Sequence, residues 1–196
     1  VPTKASLIKL REAYKKAGQD FKAAETYEQQ MELYPNPSEY NSIGVLYHNS
    51  GNYDKAIEFY ERALQNNPED FHATFNLGHT LEGRDNKRAE KYLREAYSMD
   101  SQHAPTLIEL ADIEESNGNR DKAKEMRERA YDVLLRKWKA NTLVDFEYSW
   151  LSSVARRLGH NDIAFDVINS RPKLEDEAFY DDKNLTESKN KEIEKN

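Results

Sequence analysis

The stretch from Tyr40 to Pro68 reads Tyr40-x2-Ile43-Gly44-x2-Tyr47, then Asn49-Ser50-Gly51-Asn52, then Ala56-x2-Phe59-Tyr60-x2-Ala63-Leu64, and closes on Asn66-Asn67-Pro68. Tyr40, Ile43, Gly44 and Tyr47 stand at i, i+3, i+4 and i+7, so they share one face of a helix. The four turn-forming residues that follow interrupt that periodicity. Ala56, Phe59, Tyr60, Ala63 and Leu64 restore it in a second helix, which ends ahead of Pro68 because the residue before a proline is pushed out of helical backbone. The stretch therefore predicts an antiparallel helix pair. Its glycine and alanine sit where small side chains let two helices approach.

Working outward, the same pattern recurs at a fixed interval. Ala23, Ala56, Ala89 and Ala123 are separated by 33, 33 and 34 residues, and Ala164 follows after 41. Gly18 and Gly51 are 33 apart, Gly44 and Gly78 are 34 apart, and Gly118 and Gly159 repeat the interval of 41. A period near 34 residues in helix-pair units is the mark of a stacked repeat array. On these residues, Tyr40, Ile43, Gly44, Tyr47, Ala56, Tyr60 and Pro68, the chain resembles the tetratricopeptide repeat family, with aromatic exchanged for aromatic at the outer positions.

The other units carry the resemblance along most of the chain. The first keeps Leu7, Leu10, Tyr14, Gly18, Ala23, Tyr27 and Pro35, with Arg11 where a small residue is usual. The third keeps Leu77, Gly78, Leu81, Ala89, Leu93 and Ala96; its turn, Gly83-Arg84-Asp85-Asn86, is one residue short, and Ser101 replaces the proline. The fourth keeps Leu107, Leu110, Ala111, Gly118, Ala123 and Ala130, but Glu114 and Arg127 replace its two rings. These two charges either pair with each other in place of an aromatic contact or face solvent. A fifth, degenerate unit retains Tyr148, Leu151, Gly159, Ala164 and Ile168.

The resemblance implies an all-α superhelix, or solenoid, of about five helix pairs. The units are expected at about 4–36, 37–70, 71–103, 104–137 and 145–172. The seven extra residues around Trp138 read as added turns on the second helix of the fourth unit, because Val133, Leu134 and Trp138 keep helical spacing. Trp138 and Trp150 either clasp each other or seal the last interface, or else form an exposed docking spot. Residues 173–196 hold 8 acidic and 5 basic residues among 24. Leu174, Ala178 and Phe179 suit a capping segment of the kind repeat arrays need, and the remainder reads as a polar, partly disordered tail.

Composition narrows the function. With 29 Lys+Arg against 36 Asp+Glu the net charge is −7, which argues against nucleic acid as a partner. There is no cysteine, so disulfides, thiolate metal sites and cysteine nucleophiles are excluded. No apolar run is long enough for a membrane span or a signal peptide, and with the missing cysteine this leans towards a cytoplasmic setting. The chain begins at Val1 rather than Met, which suggests a domain taken from a longer protein. No phosphate-cradling glycine loop, nucleophile elbow or His-Glu-x-x-His spacing occurs, so neither an enzyme nor a cofactor is expected. His72 and His79 lie seven residues, about 10 Å, apart along one helix. With His48 they read as ligand lining, and no metal site is expected.

In the family this chain resembles, first helices line a concave groove and second helices form the convex back. The resemblance therefore implies a lining of Ile8, Lys9, Glu12 and Lys15, then Asn41, Ser42, Val45 and His48, then His72, Phe75, Asn76 and His79. The fourth unit adds Ile108, Glu109, Asp112 and Glu115, and the fifth Arg156 and Arg157. The sites expected to bind are Asn41, Val45, His48, His72, Phe75, Asn76, His79, Ile108, Glu109 and Asp112. Phe75 is either an anchor for a partner or filler against the neighbouring first helix. Asn76 can serve a peptide backbone as donor and acceptor. The family's clamp for the C-terminal carboxylate of heat-shock chaperones is matched here only at Asn76; Asn41 and Val45, then Pro105 and Glu109, hold its other places, and Glu109 would repel a carboxylate. The Asn ladder of glycosyltransferase-linked arrays is also missing. The resemblance implies a non-catalytic module that binds a protein or peptide partner as adaptor or scaffold. The alternative is a regulatory or substrate-presenting appendage of a larger enzyme or chaperone.

Overall fold

In the second and third pairs a glycine sits where the two helices cross, and Gly44 shows how tight that crossing is. In a computed structural model describing residues 1–172, a Cβ added at Gly44 would stand 2.5 Å from the Tyr60 ring, and one at Gly78 would stand 2.9 Å from Leu93. The equivalent place in the fourth pair holds Ala111, fully buried. In the first pair it holds Arg11, whose guanidinium sits over the Tyr27 ring, 3.8 Å from its centroid, and donates to Gln30 at 3.1 Å. The long side chain fits because its planar head stacks on the ring that a smaller residue would merely touch.

The fold is all-α. Among the described residues are ten α-helices: α1 (Lys4–Lys16), α2 (Asp20–Leu33), α3 (Tyr40–Asn49), α4 (Tyr53–Asn66), α5 (Phe71–Leu81), α6 (Asn86–Met99), α7 (Ala104–Ser116), α8 (Arg120–Lys139), α9 (Asp145–Arg157) and α10 (Asn161–Ser170). They form the helix pairs of an α–α superhelix, and none is long and apolar enough to cross a membrane. The chain divides into two compact units, Val1–Val133 and the part from Leu134 onward. The capping segment and tail expected at 173–196 lie outside the described residues.

Local rules set the helix ends. Asn52 and Asp85 occupy the same place in successive pairs, and each side chain accepts a backbone N–H of the helix it starts, from Lys55 and Arg88 respectively. The turn before α4 needs a left-handed residue, supplied by Gly51 at φ 77°. Helices α1, α3 and α7 stop at equivalent residues, Lys16, Asn49 and Ser116, whereas α5 stops at Leu81, two residues early. The residue missing from that turn accounts for this, and it leaves Glu82 extended at φ −56°, ψ 134°. Helix α8 runs for 20 residues where α2, α4 and α6 run for 14, so the added turns expected around Trp138 are present.

In the first unit α2 packs on α3, α4 on α5 and α6 on α7, so each pair shares its core with the next. Tyr47 stacks on Phe59 with ring centroids 5.7 Å apart, while Phe21 meets Tyr47 edge-on and Tyr40 tilts against Phe59. Ile43, Tyr47, Tyr60, Leu77 and Leu81 are buried around them, each contributing about 1.5–3 kcal/mol by leaving water.

Polar contacts follow the same period. Lys55 binds Glu28 of the preceding pair at 2.9 Å and the Tyr47 hydroxyl at 3.0 Å. One pair on, Arg88 bonds Glu61. In the next, the sign reverses: Arg94 stands where Glu28 and Glu61 stood and binds Glu114 at 2.8 Å. Lys122, the equivalent of Lys55, binds the same carboxylate at 2.6 Å, and Asn119 donates to its other oxygen at 2.8 Å. Glu114, only 1% exposed, thus takes the place of Tyr47 and keeps that ring's cationic partner. Neither reading of Glu114 and Arg127 survives, since both are buried and they do not pair with each other. Arg127 instead binds Asp112 and Glu115.

In the second unit Tyr148, Leu151, Val154, Ala164 and Val167 are buried between α9 and α10. The Glu147 carboxylate accepts the Val144 N–H at the start of α9 and binds Lys137. Arg171 bonds Asp145 through two nitrogens, at 2.7 and 2.9 Å. The tryptophans have separate partners: Trp138 donates its indole N–H to Ser170 at 2.8 Å, and Trp150 meets Phe146 edge-on at 5.5 Å.

Two outcomes follow for stability. Replacing Gly44 by alanine gains about 1 kcal/mol of helix propensity but forces a methyl into the Tyr60 ring, at an overpacking cost of about 1–3 kcal/mol. Chemical denaturation of Gly44→Ala should therefore show a net loss. The second outcome concerns acid. Lys122, Arg94 and Asn119 hold the Glu114 carboxyl down to about 2. A depressed carboxyl stabilises the fold above the ordinary carboxylate range, and that contribution is lost as pH falls from about 4.5 towards 2. Glu114→Gln should cost about 2 kcal/mol at neutral pH, because Arg94 and Lys122 are half exposed and regain water. The gap between the two proteins should close over that acid window in urea melts.

Candidate functional site

Helices α3, α5 and α7 place their polar residues side by side. The Asn76 amide donates to the Asn41 Oδ1 at 3.0 Å, tying α5 to α3. One turn on, His48 Nδ1 lies 2.9 Å from the Thr80 hydroxyl. That hydroxyl gives its own proton to the backbone carbonyl of Asn76 at 2.7 Å, so it must accept from His48, which fixes the imidazole with its proton on Nδ1. Burial and the neighbouring His79 hold His48 below the ordinary histidine range, which favours this neutral form.

From His48 a row of rings crosses α5. Tyr53 meets His48 at 5.2 Å, His48 meets His79 at 5.2 Å, and His79 stacks on Phe75 at 5.9 Å. Phe75 then meets His103 at 4.8 Å, His103 meets Phe71 at 4.8 Å, and Phe71 meets His72 at 5.4 Å. Such edge-on and stacked contacts suit the ring quadrupoles and hold each ring in place. Phe75 is half-buried between two imidazoles, while His72, at the end of the row, is exposed.

The expected binding residues thus fall into distinct settings. Asn41 and Val45 border a cleft of about 330 Å³ together with Arg11, Lys15, Tyr27 and Ser42. His48, His72, Phe75 and His79 belong to the ring row, and Asn76 lies beside it. Ile108 is half-buried. Glu109 is 8% exposed, with one carboxylate oxygen 2.6 Å from His79 Nδ1, and Asp112 binds Arg127. Of the remaining lining, Glu12 pairs with Arg11 and Lys15. Arg156 and Arg157 lie exposed in the second unit.

The electrostatics concentrate at the α5–α7 junction. Glu109 raises His79 above the ordinary imidazole range, and burial raises the Glu109 carboxyl. Glu82 keeps one side open to solvent, yet partial burial, with Glu109 and Asp112 nearby, pushes its carboxyl up to about 7. Glu82 and Asp112 also border a cleft of about 390 Å³ that runs along Asn86, Glu90 and Ile113. Phe71, Thr80, Glu82 and His103 also border this face, outside the lining expected from the repeat pattern. Glu82 stands three residues after His79, a visible signal, but it falls in the shortened turn where helical spacing no longer applies. His103 precedes α7 and lies outside the periodic positions.

Comparison with known proteins agrees with this architecture. Residues 6–39 and 37–70 each match the model of the tetratricopeptide repeat family. Over 47 residues, 24% of this chain, the sequence is 43% identical to the peroxisomal targeting signal 1 receptor of Dictyostelium discoideum, of whose length the match spans 7%. The crystal structure of MamA protein superposes with a TM-score of 0.59 at 20% identity, covering 91% of this chain and 95% of that one. MamA 41-end from Desulfovibrio magneticus RS-1 superposes with a TM-score of 0.61 at 15% identity, covering 85% and 91%. At such identities the likeness is one of fold. Residues 6–70 match directly, so the chain carries tetratricopeptide repeats over that span, and the later helix pairs share their architecture.

Proposed function

We propose that the chain is a non-catalytic interaction module, an adaptor or scaffold that holds a peptide or a single helix of a partner protein against the face of α3, α5 and α7. The observation that carries this reading is the ring row from Tyr53 to His72, running beside the Asn41–Asn76 amide pair. Rings fixed by their neighbours offer apolar area at little cost in conformational entropy, which is what anchors a partner side chain. Asn76 spends one amide hydrogen on Asn41 and keeps the other, with its carbonyl oxygen, for an extended backbone. The cleft beside Asn41 and Val45 adds Arg11 and Lys15 at one end, while Glu109, Asp112 and Glu82 make the α5–α7 end acidic. A segment carrying an apolar residue flanked by opposite charges fits that gradient. A relative whose name marks it as the receptor for a targeting signal is in keeping with a peptide ligand.

The test is affinity selection of peptides on the intact chain, repeated with Phe75→Ala combined with Asn76→Ala. The double variant should lose on the order of thirtyfold in affinity for selected peptides, about 2 kcal/mol, with its helicity unchanged by circular dichroism. Equal affinity in parent and variant would move the partner to another surface and refute this face.

A further inference from the structure

His79 on α5 and Glu109 on α7 face each other in an arrangement that a simple ion pair does not complete. His79 Nδ1 and Glu109 Oε1 stand 2.6 Å apart, yet the ring N–H is not aimed along that line, and Nδ1 counts among the buried atoms without a hydrogen bond. The second carboxylate oxygen of Glu109 is likewise buried and has no hydrogen-bond partner among the described residues. Glu109 is 8% exposed, and a carboxylate withdrawn that far from water with an empty lone pair is costly. Glu82 supplies a third group: one donor atom from each of His79, Glu82 and Glu109 lies within 4.8 Å of the others.

We propose that His79, Glu82 and Glu109 form a binding site for one divalent transition-metal ion of the Zn²⁺ type, joining α5 to α7. One imidazole nitrogen and two carboxylates are borderline ligands, suited to Zn²⁺, Co²⁺ or Mn²⁺ and poorly suited to Mg²⁺ or Ca²⁺, which favour oxygen alone. With metal–ligand bonds of about 2.0–2.2 Å, ligand atoms of a tetrahedral ion stand roughly 3.4 Å apart. His79 and Glu109 are already closer than that, so an ion would part them slightly and draw Glu82 in by at most about 1.4 Å. Glu82 can follow because its side chain is exposed and its backbone has left the helix. An ion lying off the His79–Glu109 line would displace the proton that His79 Nδ1 holds towards Glu109 and would give Glu109 Oε2 the partner it lacks. Three protein ligands leave a fourth position to water.

Calorimetric titration of Zn²⁺ into the tag-free, chelator-stripped chain should show one bound equivalent. Co²⁺ should give the visible absorption of a protein-bound ion, and Zn²⁺ should raise the melting temperature. Glu82→Gln, a surface change that leaves the core untouched, should weaken Zn²⁺ binding about tenfold or more, and His79→Asn should weaken it further. Excess Mg²⁺ should leave the bound ion in place. Heat no greater than dilution, displacement by Mg²⁺, or a Zn²⁺ affinity unchanged in Glu82→Gln would overturn the site. If His79→Asn does not fold, the Glu82 variant alone decides.

Discussion

Everything else in the first unit depends on how closely the two helices of a pair approach. That spacing is set at one crossing per pair, where Gly44 meets Tyr60 and Gly78 meets Leu93 with no room for a methyl group. Close approach leaves each pair with one apolar face too wide to bury within itself, which the next pair must cover. Phe21 meets Tyr47 edge-on at such a joint, and Tyr47 in turn stacks on Phe59 of its own pair. Because the crossings fix the pair and the joints fix its neighbour, the exposed residues of α3, α5 and α7 are held in register along one face. The ring row exists because three helices are positioned by residues that never touch it.

Much of this was legible in the residues themselves. The interval between Ala23, Ala56, Ala89 and Ala123 marks the repeat, and the structure buries all four. The small residue at Gly44 and Gly78 indicates where helices cross, since no other explanation suits a glycine in mid-helix. Asn76 and Phe75 could be placed on a first helix beside Asn41 by period alone. Side-chain partners were another matter. Glu114 and Arg127 occupy positions that hold rings elsewhere, and pairing them with each other follows from that equivalence. Each instead finds charges closer to hand: Arg94 and Lys122 for one, Asp112 and Glu115 for the other. Periodicity says which residues share a face, but the direction taken by a long charged side chain depends on neighbours from two other helices.

The shortened turn after α5 shows the same boundary from the other side. Counting residues reveals that the turn lacks one, but only the fold shows that α5 responds by ending at Leu81 and turning Glu82 outward. A regular turn would carry helical backbone two residues further. The irregularity and the acidic cluster are one event: the break that shortens α5 brings a second carboxylate to His79 and Glu109. Arg11 is the converse case, a residue that departs from the repeat pattern and is absorbed by stacking on Tyr27 with no change in the helices.

The reversal of charge along the joints has a further meaning. Glu28 and Glu61 reach forward to a cation in the next pair, whereas Arg94 reaches forward to an acid. Repeats of like shape could in principle be exchanged, duplicated or swapped between molecules, because their apolar surfaces are alike. Polarity forbids most such exchanges here. The third pair, placed ahead of the second, would set Arg94 against Lys55, and the fourth, placed behind the first, would set Glu28 against Glu114. The joints therefore act as keyed connectors, fixing where the third and fourth pairs stand in the order of assembly.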